Sequence, residues 1–152
     1  MATDSRIRVL VVEDFEPFLR LLCSKLERNH DFQIIAEVSN GLEAVRRAEE
    51  LRPDLIFLDI GLPILNGIDA ARQIRPLTPE SKIIFVTQES SPDVVEAAFN
   101  MGAVGYVLKT RLSSDLWPAV EAVRQGGRFV SSGFLRYPEE TGQPNACRAA
   151  AD

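Results

Sequence analysis

Two acids, Glu13 and Asp14, follow directly on the apolar run Ile7–Val12, and a third, Asp59, follows the apolar run Leu55–Leu58. Thr87 closes the run Lys82–Thr87, and Lys109 follows the run at residues 104–108. Three carboxylates brought within a few ångströms repel one another, and their pKa values rise unless a cation sits among them. A hard divalent ion with oxygen ligands answers that need. An acid pair, an acceptor carboxylate, a hydroxyl and an ammonium group together make an apparatus for moving a phosphoryl group. The carboxylate is the covalent acceptor, and the cations neutralise charge on the transferring oxygens. All of this requires that the tips of the apolar runs meet at one rim.

The intervening sequence predicts that they do. Each short, β-branched run reads as a strand buried on both faces, and each is followed by a longer amphipathic stretch. Phe18, Leu19, Leu22 and Leu26 lie at helical spacing within 15–29, and Phe32–Val38 reads as a second strand. Ser39-Asn40-Gly41 opens a helix over 42–51. A short helix over 67–75 is expected to stop before Pro76. Ser91-Pro92 opens a helix that runs to about Met101 and ends at Gly102. A fifth helix over 112–125 contains Pro118, expected one turn from its start, and closes at Gly126-Gly127. Strict alternation implies an α/β fold, a doubly wound five-stranded parallel sheet with five helices. Without a glycine-rich first turn, the flavodoxin-like order 2-1-3-4-5 is favoured, with the switch point at the carboxyl ends of strands one and three.

Composition narrows the function. The chain has 152 residues and a net charge of −5, which fits one domain and argues against a phosphate-coating nucleic-acid surface. No apolar run reaches the roughly 20 residues that span a bilayer, and the first residues are polar, so no membrane contact is expected. Cys23 and Cys147 are the only cysteines, one in an apolar helical run and one in a polar tail. Reduced thiols and a cytoplasmic location are expected. From Tyr137 the chain is polar and rich in proline, so the domain is placed at 1–133 and a linker or disordered tail at 134–152.

Val11-Val12-Glu13-Asp14, the stretch Asp59-Ile60-Gly61-Leu62-Pro63-Ile64-Leu65-Asn66-Gly67, Thr87, and Gly102-Ala103-Val104-Gly105-Tyr106-Val107-Leu108-Lys109 together resemble bacterial response-regulator receiver (CheY-like) domains. The resemblance covers roughly residues 6–133. Ser39-Asn40-Gly41-Leu42-Glu43-Ala44 and Gly126-Gly127-Arg128-Phe129-Val130 look most like the NarL/FixJ-type subfamily. The resemblance implies a two-component signalling phosphoprotein rather than an enzyme, with at most slow self-phosphorylation and autodephosphorylation. Asp59 would be the phosphoacceptor. Asp14, Asp59 and the backbone carbonyl of Gly61 would ligate Mg²⁺, with Mn²⁺ as its substitute, and Glu13 would act through water. Lys109 would pair with the phosphoryl oxygens. Thr87 would move to the phosphoryl group and Tyr106 would then rotate inward, biasing a partner-binding or dimerisation face. Gly61 and Glu89, two residues after Asp59 and Thr87, would tune the phosphate lifetime.

The implied partners are a sensor histidine kinase or phosphotransfer protein and a second copy of the chain. The alternative is a receiver fragment of a DNA-binding transcriptional regulator whose helix-turn-helix domain lies outside this chain. Thr110 stands where the family often has a cis proline, which leaves the reach of Lys109 to be determined. Two other classes fare worse. An aspartate-dependent phosphohydrolase wants a second acid two residues after its nucleophile, where this chain has Gly61. A flavodoxin-like cofactor binder needs a phosphate-cradling loop, where this chain has Glu13-Asp14-Phe15-Glu16. Taken singly, Asp14 could cap a helix, Thr87 could end a strand, and His30, Trp117 and the pair Arg46-Arg47 read as structural or solvated.

Overall fold

The computed structural model describes residues 5–132. The expected tail from 134 onward, with Cys147, lies outside the described residues. The elements run β1 (Ile7–Val12), α1 (Glu16–Glu27), β2 (Phe32–Val38), α2 (Gly41–Leu51), β3 (Leu55–Leu58) and α3 (Gly67–Leu77). They continue with β4 (Lys82–Thr87), α4 (Pro92–Asn100), β5 (Gly105–Leu108), a 3-10 turn (Lys109–Arg111), α5 (Leu112–Arg124) and β6 (Phe129–Val130). The sheet is parallel throughout, in the order β2-β1-β3-β4-β5-β6. The expected order therefore holds, but the expected five-stranded count is corrected to six. After α5, Gly126 adopts a φ of 86° and turns the chain back, so that Phe129 and Val130 pair with Gly105 and Tyr106.

The period of two along each strand builds two cores. Val9, Val11, Leu55, Phe57, Ile84, Val86 and Val107 face α1 and α5. Leu10, Val12, Ile56, Leu58, Ile83, Phe85, Tyr106 and Leu108 face the helices α2, α3 and α4. Burial on both faces explains why the central strands lack polar interruptions; each fully buried Leu, Ile or Phe contributes about 1.5–3 kcal/mol. Trp117 packs at the edge of the first core, its ring 5.3 Å from that of Phe32.

Two prolines correct the helix expectations. α3 runs through Pro76 to Leu77, and Pro118 is the seventh residue of α5 rather than one turn in. In each case the proline removes a hydrogen bond to the carbonyl four residues earlier, at Arg72 and Ser114. Both of those residues and both prolines are exposed, where a freed carbonyl can be satisfied by solvent. At the end of α3, Thr78 N–H still reaches Ile74 O at 2.9 Å.

Cys23 is a free, buried thiol on α1, 3.4 Å from the Glu37 carboxylate, which Arg20 also pairs. Burial, reinforced by the negative charge of Glu37, pushes the thiol up to about 12. The thiolate is the reactive form, so Cys23 is expected to resist iodoacetamide at pH 8 in the native protein and to react once the chain is unfolded. Peptide mapping checks this; native labelling of Cys23 at the unfolded rate would contradict it. No helix among the described residues is long and apolar enough to cross a membrane.

Candidate functional site

The register determines what meets at the carboxyl rim. Val12 pairs with Leu58, Leu58 with Phe85, and Phe85 with Tyr106. Glu13 and Asp59, one residue further on, therefore stand side by side; Thr87 and Lys109 follow at the tips of β4 and β5. Alternation carries Glu13, Asp59 and Lys109 toward the α1–α5 face and Thr87 toward the Tyr106 face.

One ligand atom each from Glu13, Asp14 and Asp59 lie within 4.8 Å of one another. Glu13 and Asp59 are buried and Asp14 is exposed. Asp14 does not cap α1: the N-cap is Phe15, without a side-chain cap bond, and it is the Glu13 carboxylate that accepts the Phe15 N–H at 3.0 Å. The Lys109 ammonium lies 3.0 Å from Glu13 Oε2 and 3.0 Å from Asp59 Oδ2. It also sits over the Phe18 ring, 4.8 Å from the centroid. Asp59 Oδ1 accepts the Ile60 N–H at 2.7 Å. The peptide after Lys109 is trans, as are the others among the described residues, and the 3-10 turn at Lys109–Arg111 aims the lysine at the acids.

Burial pushes the Glu13 carboxyl above the ordinary range, the Phe15 N–H pulls against it, and the negative charge of Asp59 adds to the push. Burial opposes the Lys109 ammonium, but its hydrogen bonds to Asp59 and Glu13 outweigh that cost and raise its pKa. The lysine is therefore a fixed positive charge between two nearly buried acids. The donor set around it is all oxygen, which suits a hard divalent cation and not a soft metal.

On the other face, Thr87 is buried and its Oγ1 accepts the Glu89 N–H at 3.3 Å. The Tyr106 ring is already fully buried, and its hydroxyl donates to Glu89 O at 2.8 Å. β5 buries the ring in the core as the chain stands, which is the inward placement that the resemblance implies after phosphorylation. Burial, with the charges of Glu89 and Asp59, raises the phenol pKa, so the hydroxyl remains a donor. The Glu89 side chain is exposed, and so is Gly61, at which an added Cβ would meet nothing within 4 Å.

Two features escaped the sequence reading. Ile64, in the loop after Asp59, is 76% exposed and has a φ of 72°. A β-branched residue in the left-handed region carries strain of about 1–3 kcal/mol, and no residue pattern signals it. Asp115 and Ser131 form a buried pair behind Lys109, at 2.5 Å. The available signal was a charged residue on the apolar stripe Leu112, Leu116, Ala119 and Val123 of α5. His30 lies apart from the rim, in a cleft of about 460 Å³ lined also by Lys25, Arg28, Asn29, Asp31 and Trp117.

The comparisons agree with this geometry. The family model described as the response regulator receiver domain matches residues 9–121. The transcriptional regulatory protein LiaR of Bacillus subtilis is 37% identical over 120 residues, 79% of this chain and 57% of LiaR. The chemotaxis protein CheY of Listeria monocytogenes is 31% identical over 115 residues, 76% of this chain and 96% of that protein. A crystal structure of a LuxR-family two-component response regulator from Aurantimonas superposes with a TM-score of 0.75. It has 32% identity and covers 84% of this chain and 91% of its own. The chain thus spans little more than half of LiaR and nearly all of CheY. The matched segment contains Glu13, Asp14, Asp59, Thr87 and Lys109, and this chain belongs to the response regulator receiver domain family of two-component signalling.

Proposed function

We propose that Asp59 accepts a phosphoryl group from a sensor histidine kinase or phosphotransfer protein in the cytoplasm. The observation that carries this reading is the Lys109 ammonium held 3.0 Å from both Asp59 and Glu13 at a rim of three carboxylates. A carboxylate oxygen of Asp59 forms the new bond to phosphorus. The bond from phosphorus to the donor atom breaks, and its electron pair leaves with the donor. Lys109 neutralises charge on the phosphoryl oxygens. Thr87, at the tip of β4, offers them a hydroxyl. Asp14, Asp59 and the Gly61 carbonyl would hold Mg²⁺, or Mn²⁺ in its place, with Glu13 acting through water. The ion supplies the charge that draws carboxylates and phosphoryl oxygens together. The chain is proposed as a signalling acceptor and not as an independent enzyme.

Readout follows the hydrogen bonds. A pull on Thr87 acts on the Glu89 N–H it accepts, and the Glu89 carbonyl holds the Tyr106 hydroxyl. α4, β5 and α5 are therefore the proposed partner-binding or dimerisation face. LiaR is a transcriptional regulatory protein and CheY a chemotaxis protein; the reading takes the receiver role they share. The length of LiaR beyond the match favours, as a second reading, the receiver part of a DNA-binding regulator.

With Mg²⁺ and acetyl phosphate, intact mass is expected to rise by one phosphoryl group in the wild type and not in Asp59→Asn. A gain that survives Asp59→Asn would overturn the assignment. Gly61 and Glu89 are proposed to set how water reaches the acyl phosphate; an unchanged decay in Glu89→Ala would remove Glu89 from that role.

A further inference from the structure

We infer that Asp115 and Ser131 are positioning residues for Lys109, a buried brace that fixes both ends of the segment carrying it. The inference rests on the reading of Asp59 as phosphoacceptor. Lys109 begins a three-residue 3-10 turn. Such a turn has poor hydrogen-bond geometry and little stability of its own, so something else must hold the lysine at 3.0 Å from two carboxylates.

The brace supplies it. On the near side, Leu108 N–H donates to Ser131 Oγ at 3.1 Å, and Ser131 Oγ lies 2.5 Å from Asp115 Oδ2. A hydroxyl has one proton. Because the amide must donate to it, its own proton points at Asp115, and the direction of the chain is fixed. On the far side, Arg111 Nε donates to the same Asp115 oxygen at 3.2 Å, and Ser114 Oγ lies 3.0 Å from Asp115 Oδ1. One carboxylate thus ties the residue before Lys109 to the residue that ends its turn. Ser131 is itself anchored, its N–H donating to Tyr106 O at 2.8 Å. Ser131 is 1% and Asp115 7% exposed, so water competes weakly. β6 therefore does more than extend the sheet: it delivers the hydroxyl that completes the brace. Neither Asp115 nor Ser131 is among the three clustered carboxylate residues.

The test uses the full chain, with Ser131→Ala and Asp115→Asn as variants. Asp115→Asn keeps an acceptor for Ser131 while losing the charge that holds Arg111, so it guards against a serine variant that simply unfolds. Two quantities are read: the phosphorylation rate at saturating acetyl phosphate and Mg²⁺, and the NMR signal of the Lys109 Cε–H group in metal-free protein. Losing a partner that orients a metal-ligating side chain typically costs about 10–100-fold, and a loss of the same order is expected for a positioned lysine. Ser131→Ala is expected to lose roughly tenfold or more in rate and Asp115→Asn less. The Lys109 signal is expected to shift in both, and the Mg²⁺ concentration for half-maximal rate is expected not to rise, because a displaced ammonium competes less for Glu13 and Asp59. A rate loss without a Lys109 shift is ordinary destabilisation and overturns the proposal, as does a wild-type rate in both variants. If the wild type itself takes no phosphoryl group on Asp59, the reading beneath the inference fails, and the inference with it.

Discussion

Lys109→Ala is expected to slow phosphorylation of Asp59 about 10²–10³-fold while tightening divalent-cation binding. The opposite signs follow from one charge. In the wild type the ammonium lies 3.0 Å from Glu13 and Asp59, and its side chain is only 11% exposed. Its hydrogen bonds keep it protonated against the cost of burial, so on the proposed function it would at neutral pH both attract phosphoryl oxygens and compete with a metal for the acids. Removing it abolishes the first effect and relieves the second. It also leaves Glu13, 2% exposed, beside Asp59 with no cation between them. The Glu13 carboxyl already stands above its ordinary value because of burial; the variant raises it further. A carboxyl whose folded pKa exceeds its unfolded pKa binds more protons when folded, so stability falls as pH rises through that interval. Metal-free Lys109→Ala should therefore melt lower at pH 8 than at pH 5 by a wider margin than wild type. Mg²⁺ should recover the loss, by about 2.7 kcal/mol at a hundredfold excess over Kd. Melting curves at both pH values, a Mg²⁺ titration and the acetyl phosphate rate check the set. Weaker cation binding in the variant would show that Lys109 does not compete for these carboxylates.

The strand tips were legible because parallel strands buried on both faces leave continuous apolar runs, and the first charged residue after each run marks the rim. Glu13, Asp59 and Lys109 all obey that rule. What was not legible lies where the rule has no purchase. Phe129 and Val130 are too few to show a period, so β6 was hidden; its pairing depends on where Gly126 sends the chain. Pro76 looked like a breaker because sequence does not say that the carbonyl it leaves unpaired belongs to an exposed residue, and Pro118 sits deeper in α5 than the one turn expected. Tyr106 fits core filling and switching equally well from sequence, and only the hydroxyl at Glu89 O distinguishes its place. Asp115 is the instructive miss, since an acid on the buried stripe of a helix needs a partner, and that partner was a serine 16 residues away.

Gly67→Ala is expected to destabilise the fold and to damage the acceptor site together. Helix propensity predicts the reverse: alanine in place of a helical glycine gains up to about 1 kcal/mol in a helix interior and less at Gly67, the first residue of α3. Sterics decide the sign. A Cβ at Gly67 would lie 2.0 Å from Asp59 O, 2.7 Å from Ile60 Cα and 2.8 Å from Asp59 C. All three are backbone atoms, so no rotamer change relieves the clash. The amide of Gly67 also donates to Ile60 O at 2.8 Å, which pins the start of α3 against that peptide. Either α3 lifts from the sheet, or the peptide that aims Asp59 at Lys109 moves. Overpacking typically costs 1–3 kcal/mol; with rigid backbone on both sides, about 3 kcal/mol is expected. A displacement near 1 Å at a reacting group costs about a hundredfold in rate. Gly61→Ala is the matched control: it lies two residues from Asp59, but its Cβ would meet nothing within 4 Å. Its stability should stay within about 0.5 kcal/mol of wild type. Urea midpoints for the two variants separate contact with the Asp59 peptide from mere proximity to it, and the acetyl phosphate rate of Gly67→Ala reads the damage to the acceptor. Equal behaviour of the two would mean that the close approach of α3 does not position the acceptor.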